Sequence, residues 1–172
     1  MIILVFLLKI YERFFGFYST SLFLSKISNP LGYKIRYSFY KKSFLELGTN
    51  TSFPFGVIFT NKNIRVGNNV RFGPFNNVAN VNFGNNIVIA QNVSFLSGSN
   101  QHGYNRLDIP MIDQPGNLEI ININDDVWIG ANAVITESIN KGSIIGSLAM
   151  VNKKFPEYSI LGGVPAKIIK KR

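Results

Sequence analysis

Branched or aromatic apolar residues recur about every six positions along most of the chain after residue 64, and many precede a small residue. These positions, called lead residues below, are Val66, Phe72, Val78, Phe83, Ile89, Phe95, Ile129, Ile135, Ile145 and Val151. A small or β-branched residue often follows four positions later, at Val70, Ile87, Val93, Ala133 and Ala149. This period matches neither a helix nor a simple strand alternation. It is typical of a parallel β-helix, in which each hexad forms one short strand and one corner of a triangular coil.

The residues between the leads suit the corners of such a coil. Gly and Asn cluster there, as in Gly67-Asn68-Asn69, and both accept the left-handed backbone that β-branched residues resist. The alternative is a β-sandwich with evenly spaced turns, but sandwich turns rarely keep one register over so many repeats. We expect the coils to open at Gly48, with Phe53 and Ile58 pointing inward in a weaker register. The pattern therefore predicts an all-β solenoid.

The hexads stop between Phe95 and Ile123, and we interpret residues 97–121 as a loop extruded from the coil. An insertion leaves the stacking of a solenoid intact and often carries its function. The loop contains His102, the only His of the chain. A lone His is usually an ordinary surface or core residue, but its position at the one major break of the repeat favours a catalytic role.

Several motifs accompany the repeat. They are Ser-Gly-Ser-Asn-Gln-His at 97–102, Asp-Ile-Pro at 108–110, Asp-Gln at 113–114, Asp-Val-Trp-Ile-Gly-Ala at 126–131 and Gly-Gly-Val-Pro-Ala-Lys-Ile-Ile-Lys at 162–170. With them, the stretch from about Gly48 to Arg172 resembles the hexapeptide-repeat acyltransferases, and among these the sugar O-acetyltransferases of bacterial surface-polysaccharide synthesis, relatives of maltose and galactoside acetyltransferases. The resemblance implies a left-handed parallel β-helix over residues 48–172, a homotrimer, and transfer of acetyl from acetyl-CoA to a sugar hydroxyl.

In this family the extruded loop carries the catalytic His, which the resemblance places at His102. A neutral imidazole can remove the proton of a sugar hydroxyl as that hydroxyl attacks a thioester carbonyl. Backbone N–H groups or an Asn amide would stabilise the resulting oxyanion. The group that fixes the His102 tautomer stays open among Asp108, Asp113 and a backbone carbonyl. One or two more polar residues precede His102 than in the commoner Ser-Gly-x-His spacing.

The resemblance also implies where acetyl-CoA would bind, along the solenoid edge between two subunits. Trp128 and Ala131 match positions beside its reactive arm, Ser147, Asn152 and Lys153 match corner positions along its length, and Lys167 and Lys170 match positions that meet its phosphates. Two other interpretations stand beside these: Trp128 as a packing aromatic, and the basic ending as a solvated tail. The coil at 136–142 is about two residues shorter than the family's usual coil, so the register changes where these contacts lie.

The first 47 residues form a separate segment, in which Met1 to about Ile27 is predicted to be an almost wholly apolar helix ended by the breakers at 29–32. Its polar residues fall at helical spacing on one narrow face, at Lys9, Glu12, Arg13, Gly16 and Thr20. Charge interrupts the apolar run too early for a membrane span. Two interpretations are open: peripheral membrane contact through residues 1–27 with the polar stripe outward, or packing against the solenoid end or a neighbouring subunit. Residues 33–47 read as an amphipathic basic helix.

Composition narrows the classes of function. The net charge of +9 is compatible with nucleic acid, but the usual reading motifs are absent, so we expect an anionic cofactor or membrane surface and no nucleic acid. The chain has no Cys, hence no thiolate metal site, and a single His excludes the three-His zinc site of a carbonic anhydrase on this fold. We expect no metal and a cytoplasmic location, with possible membrane association on the inner face left open. A serine or amino-sugar acetyltransferase and a non-catalytic scaffold remain alternatives.

Overall fold

The computed structural model describes residues 1–98 and 100–172, and it contains two helices followed by a coil of short strands. The helices are α1 (Ile2–Ser25) and α2 (Pro30–Lys41). The strands are β1 (Glu46–Leu47), β2 (Ile58–Phe59), β3 (Arg65–Val66), β4 (Val70–Arg71), β5 (Asn77–Val78), β6 (Val81–Phe83), β7 (Ile87–Ile89), β8 (Ser94–Phe95), β9 (Ile121–Ile123), β10 (Trp128–Ile129), β11 (Val134–Ile135), β12 (Ile144–Ile145), β13 (Met150–Val151), β14 (Ser159–Gly162) and β15 (Lys167–Lys171).

These strands form three sheets that the chain visits in rotation. Sheet A has the order β1-β3-β6-β9, sheet B β15-β14-β12-β10-β7-β4, and sheet C β13-β11-β8-β5-β2. Every pair of strands is parallel except β14 with β15, where the chain turns back at its C-terminal end. A chain that passes from A to B to C and then pairs with its own previous turn is a parallel β-helix. The parallel pairing excludes the sandwich alternative, whose sheets are antiparallel.

The lead residues fill the axis of this coil, as predicted, and all of them are buried. Val66 pairs with Phe83, seventeen positions later, whereas Ile129 pairs with Ile145 after only sixteen, so the later coil is short. Aromatic rings pack edge to face along the axis: the Phe72–Phe83 and Phe83–Phe95 centroids lie 5.0 and 5.3 Å apart. Burial of each side chain of this size stabilises the folded state by roughly 1.5–3 kcal/mol.

The first coil differs from the expectation in its register. Phe53 is buried as predicted, but Ile58 is only half-buried and points outward, while its neighbour Phe59 is fully buried. The inward residues Phe53 and Phe59 are six positions apart, as in the other hexads, so the predicted position at Ile58 falls one residue early. Because side chains alternate in a strand, a shift of one residue exchanges the inner and outer faces.

Stacked Asn side chains hold the corner between sheets A and B. Asn50, Asn69 and Asn86 all have positive φ, between 52° and 58°. The Asn50 amide donates to Asn69 Oδ1 at 2.7 Å, and the Asn69 amide donates to Asn86 Oδ1 at 2.9 Å. Asn is among the few residues that accept this conformation at modest cost. The prediction of left-handed corners is therefore confirmed for these Asn residues, whereas Gly67 does not have a positive φ.

Helix α1 packs across the open end of the coil with part of its polar side, so the predicted polar stripe faces outward only in part, at Arg13 and Gly16. Glu12, Thr20 and Ser21 are buried. Ser21 Oγ accepts the backbone N–H of Phe59 at 2.9 Å, and the Gly56 N–H donates to the Ser25 carbonyl at 2.8 Å. These N–H groups lie on the free edge of the first coil, which would otherwise be unpaired. The alternative of packing against the solenoid end is confirmed.

Helix α2 fixes α1 in this position through Arg36, which is fully buried. Its Nη1 donates to the carbonyls of Leu24 and Ile27, both at 2.8 Å, and its Nε donates to that of Phe53 at 2.7 Å. Arg36 thus joins the C-terminal end of α1 to the first coil. Burial lowers the pKa of the guanidinium. The breakers at 29–32 also start α2, because Asn29 Oδ1 accepts the N–H of Gly32 at 3.0 Å.

Candidate active site

The His102 loop leaves the coil after Phe95 and returns at Ile121. Its two arms pair near the base: Glu119 N–H donates to the Ser97 carbonyl at 3.0 Å, and Asn117 N–H donates to the Asn100 carbonyl at 2.7 Å. The Ser97 hydroxyl also accepts the Asn80 N–H at 3.2 Å, which ties the loop to the third coil. The loop therefore has a defined base.

Gln114 organises the outer part of the loop. Although this segment is largely exposed, the Gln114 side chain is buried, and it donates to the carbonyls of Arg106 and Ile109 at 2.7 and 3.2 Å. Its Oε1 accepts the Arg106 N–H at 3.1 Å. Gly116 lies directly against the peptide bond between Gln101 and His102, since a Cβ there would stand 2.0 Å from the Gln101 carbonyl oxygen and 2.6 Å from the His102 backbone nitrogen. The sequence reasoning assigned no role to Gln114 or Gly116, and a buried amide within a polar loop gives no periodic signal.

The arms of the loop enclose a cleft of about 410 Å³ that contains the exposed His102. Tyr104, Asn105 and Asn117 line it with polar groups, together with the backbone around Gly116. Such a lining offers hydrogen-bonding groups to a bound ligand.

Asp108, one of the candidates for orienting His102, is occupied elsewhere. Its carboxylate accepts from Arg106 Nε at 3.0 Å and also pairs with Arg106 Nη2. This guanidinium holds the pKa of Asp108 below its usual value. Asp113 ends the short 3-10 helix Met111–Asp113. Within the described ranges, no three His, Cys, Asp or Glu residues cluster to hold a metal ion.

Trp128 lies on the outer face of sheet B, where it is 56% exposed. It stands in register between Val88 and Ile144, and Ile144 is followed by Ile160, so this face carries an apolar row. A cleft of about 160 Å³ beside the row is bordered by Arg172, whose Nη1 contacts Asp126 Oδ2 at 2.7 Å.

Four of the other residues predicted to bind acetyl-CoA fall at two borders of sheet C. Ala131 and Ser147 share the corner between sheets B and C, where a Cβ on Gly130 would lie 2.5 Å from the Ser147 nitrogen. Asn152 and Lys153 follow β13 at the opposite border, where the His102 loop also leaves after β8. The Lys153 ammonium lies 5.5 Å from the Phe155 ring centre. Within one subunit, Ala131 and Ser147 therefore lie on one border of sheet C, and Asn152 and Lys153 lie on the opposite border.

The basic ending is an ordered edge strand rather than a tail, although all of its residues are exposed to solvent. Strand β15 pairs antiparallel with β14, and Lys167 and Lys170 are exposed on it. Lys171 differs from them, because its Nζ donates to the Glu157 carbonyl at 2.8 Å. The predicted phosphate-binding cations therefore lie on a fixed strand at the edge of sheet B.

Comparison with known proteins agrees with this architecture. No protein-family model matches the chain. The galactoside O-acetyltransferase of Escherichia coli K12 is 31% identical over 151 residues, which cover 83% of this chain and 71% of that protein. WbbJ of the same strain, a proposed lipopolysaccharide biosynthesis O-acetyl transferase, is 30% identical over 124 residues, covering 67% of this chain and 61% of WbbJ.

Solved structures show the same fold. A hexapeptide-repeat acetyltransferase of Vibrio cholerae superposes with a TM-score of 0.67 at 26% identity, over 90% of this chain and 89% of that one. A galactoside acetyltransferase in complex with coenzyme A gives a TM-score of 0.74 at 24% identity, over 89% and 78%, and this likeness concerns the fold alone. With its six-residue repeat, its three-sheet coil and a relative matched over most of its length, the chain belongs to the hexapeptide-repeat acetyltransferases related to galactoside O-acetyltransferase.

Proposed function

We propose that this acetyl-CoA-dependent acetyltransferase acetylates a sugar hydroxyl in the synthesis of a bacterial surface polysaccharide, such as a capsule, O-antigen or exopolysaccharide. The observation that carries the proposal is the chain's one His, exposed in a polar cleft that the paired arms of its own loop hold open. The coil supplies a rigid base for that loop, as catalytic groups require.

In this mechanism the His102 imidazole accepts the proton of the acceptor hydroxyl while the oxygen attacks the thioester carbonyl. Collapse of the tetrahedral intermediate breaks the carbon–sulfur bond and releases the coenzyme thiolate, to which the imidazolium returns the proton. The acetyl ester stays on the acceptor. Because His102 accepts one proton and later returns one, the reaction requires no other base.

The donor site is proposed to lie between two subunits of a homotrimer, on a coil of left-handed sense as in the family. Two observations support it. Ala131 and Ser147 lie across sheet C from the His102 loop, so one continuous site that uses both borders needs a second chain. The apolar row that contains Trp128 is a second support, because an exposed flat apolar face is typical of subunit contacts. Light scattering should give the mass of a trimer, and an active monomer would contradict it.

The acceptor class is inferred from the relatives, of which one is a galactoside O-acetyltransferase and the other, WbbJ, a proposed O-acetyl transferase of lipopolysaccharide biosynthesis. The polar lining of the cleft by Tyr104, Asn105 and Asn117 also fits a hydroxylated ligand. An enzyme that uses this donor is expected where acetyl-CoA is made, in the cytoplasm. Serine or amino-sugar acceptors are the alternative, and a panel of acceptors separates them.

The decisive experiment compares wild type with His102→Ala and with Asn105→Ala, a matched change in the same cleft. Release of free coenzyme thiol, measured with a sugar panel, should fall roughly 10²–10⁴-fold for His102→Ala and much less for Asn105→Ala. Calorimetry should show that His102→Ala still binds acetyl-CoA. Near-normal turnover of this variant would show that another group is the base.

The same calorimetry tests the role of the basic strand. The double change Lys167→Ala with Lys170→Ala should weaken acetyl-CoA binding, and rising salt should narrow the difference from wild type. The matched control is Lys34→Ala with Lys41→Ala, which removes the same charge from α2 at the other end of the molecule. If neither the wild type nor any variant binds acetyl-CoA, the chain is a scaffold rather than an enzyme.

A further inference from the structure

Helix α1 presents to solvent an apolar surface that folding does not use, here named the outer face. It consists of Ile2, Ile3, Phe6, Leu7, Ile10 and Phe14. Their exposure ranges from 40% for Ile10 to 87% for Ile2. Positions three, four and seven apart lie on one side of a helix, so these six residues form a single stripe before the helix breaks at Gly16. A contiguous stripe of this kind marks a contact surface.

From this arrangement we propose that the outer face docks on the surface of an anionic phospholipid bilayer, with α1 lying in the plane of the interface. Within the described residues, no helix is long and apolar enough to cross a membrane, so the helix would lie on the bilayer rather than span it. At about 1.5 Å per residue, the segment before Gly16 offers a stripe roughly 20 Å long. On the segment before Gly16, the residues buried against the protein are Val5, Leu8 and Glu12, which leaves the opposite, apolar side free for lipid.

The positive charge that borders the outer face favours an anionic lipid surface as its binding partner. Arg13 falls within the stripe by helical position and is exposed. Lys9 and Lys42 line a groove of about 470 Å³ beside Ile2 and Phe6. Lys34 lines a second groove, which adjoins the first at Met1. Cations around an apolar stripe are the arrangement that anionic headgroups complement.

The one acidic residue of α1 offsets only part of this charge, because Glu12 shares its single negative charge between Lys9 and Lys62. The Glu12 carboxylate is buried between Lys9 and Lys62 and contacts both ammonium groups, the latter at 2.8 Å. A second copy of the chain would have to bring the same cations together across the interface, on a protein of net charge +9. Like charges directly opposed are unfavourable, whereas an anionic bilayer accepts both the apolar stripe and its cationic border.

The test is flotation of the full-length protein with vesicles of phosphatidylcholine alone and of phosphatidylcholine mixed with phosphatidylglycerol. We expect binding to the mixed vesicles, weaker binding to the neutral ones, and a decrease with added salt. The triple change Ile3→Ser, Phe6→Ser and Phe14→Ser should reduce binding to mixed vesicles at least about tenfold, because it removes most of the apolar insertion. All three side chains are exposed, so the core is untouched.

The matched control replaces three exposed apolar residues of the His102 loop, by Leu107→Ser, Met111→Ser and Ile112→Ser. Its binding to mixed vesicles should equal that of the wild type. Circular dichroism verifies folding, and the single change Phe14→Ser replaces the triple variant if the latter does not fold. The measurement needs neither donor nor acceptor, so its result is independent of the proposed acetyl transfer.

Three results would overturn the proposal. The first is no binding of the wild type to mixed vesicles, and the second is equal loss in the triple variant and the loop control. The third is a triple variant that binds vesicles normally but has a lower mass in light scattering, which would show that a second copy covers the outer face.

Discussion

The coil and helix α1 differ in what they bury: the lead positions of the coil are all apolar, whereas α1 buries polar side chains together with Val5, Leu8 and Leu24. In the coil the lead residues, such as Val66 and Ile129, fill the axis while Asn and Lys face water. In α1 the solvated side is apolar, and Glu12 and Ser21 face the protein. The difference follows from the partner surface: stacked coils offer each other apolar side chains, but the open end of a coil offers unpaired backbone N–H and C=O groups. A polar helix side satisfies those groups, which shows that the partner's chemistry decides which face is buried.

The largest expected effect is a difference in stability between two substitutions of isoleucine, one in the coil and one in α1. Ile129→Ala removes a fully buried side chain at the centre of the coil and should lower the free energy of unfolding by about 2–5 kcal/mol. Ile3→Ala, at a side chain that is 77% exposed, should change it by no more than about 0.5 kcal/mol. Urea denaturation of both variants measures the contrast. Equal losses would mean that the outer face of α1 is already covered in the protein in solution.

The next effect concerns the residue that joins the two regions. Arg36→Met keeps much of the side-chain volume but leaves the carbonyls of Leu24, Ile27 and Phe53 without their donor. Buried carbonyls that lose a charged donor cost roughly 2–3 kcal/mol in total, since water can reach part of the helix end. Lys34→Met, an exposed change on the same helix, is the control.

If Arg36→Met unfolds the whole chain at lower urea in one transition, the helices and the coil form one cooperative unit. A separate early transition with intact coil would mean that α1 and α2 are detachable, and the polar contacts at the coil end would then contribute little to the coil itself.

The sequence predicted the coil well because each lead residue of the repeat marks a buried position. Each lead residue occupies an equivalent site on the axis, so the pattern reports the same environment many times. It failed at Ile58, because the inward position lies six residues after Phe53, at Phe59, and the prediction fell one residue short. The orientation of α1 could not be read in the same way. A stripe with Glu12 and Thr20 reads as the solvent side unless the partner is known to be a row of backbone groups.

For the site, the sequence identified the chemistry but not its support. His102 stands out as the sole His at the break of the repeat, and the structure places it in a cleft. Gln114 was missed because its three hydrogen bonds join residues of the loop that no periodicity relates. The sequence does not distinguish Asp108 from Asp113 as a partner for His102, whereas the structure pairs Asp108 with Arg106. The assignment of roles to His102 and to the donor-binding residues stays a prediction.

The smallest effect is also the one that depends on pH, and it concerns Glu12. Burial alone would raise the pKa of this carboxyl, but hydrogen bonds and charge from Lys62 and Lys9 lower it below the ordinary value of 4.5. A group whose pKa is lower in the folded state stabilises that state above its unfolded pKa, and the contribution is lost as the pH falls through the folded pKa. Both lysines are partly solvated, so Glu12→Gln should cost about 1–2 kcal/mol at neutral pH. The difference between wild type and variant should shrink as the pH drops below 4.5. Urea denaturation across this range measures it, with Glu46→Gln, an exposed carboxyl on β1, as the control. A difference that stays constant down to strong acid would show that Glu12 acts through packing rather than through its charge.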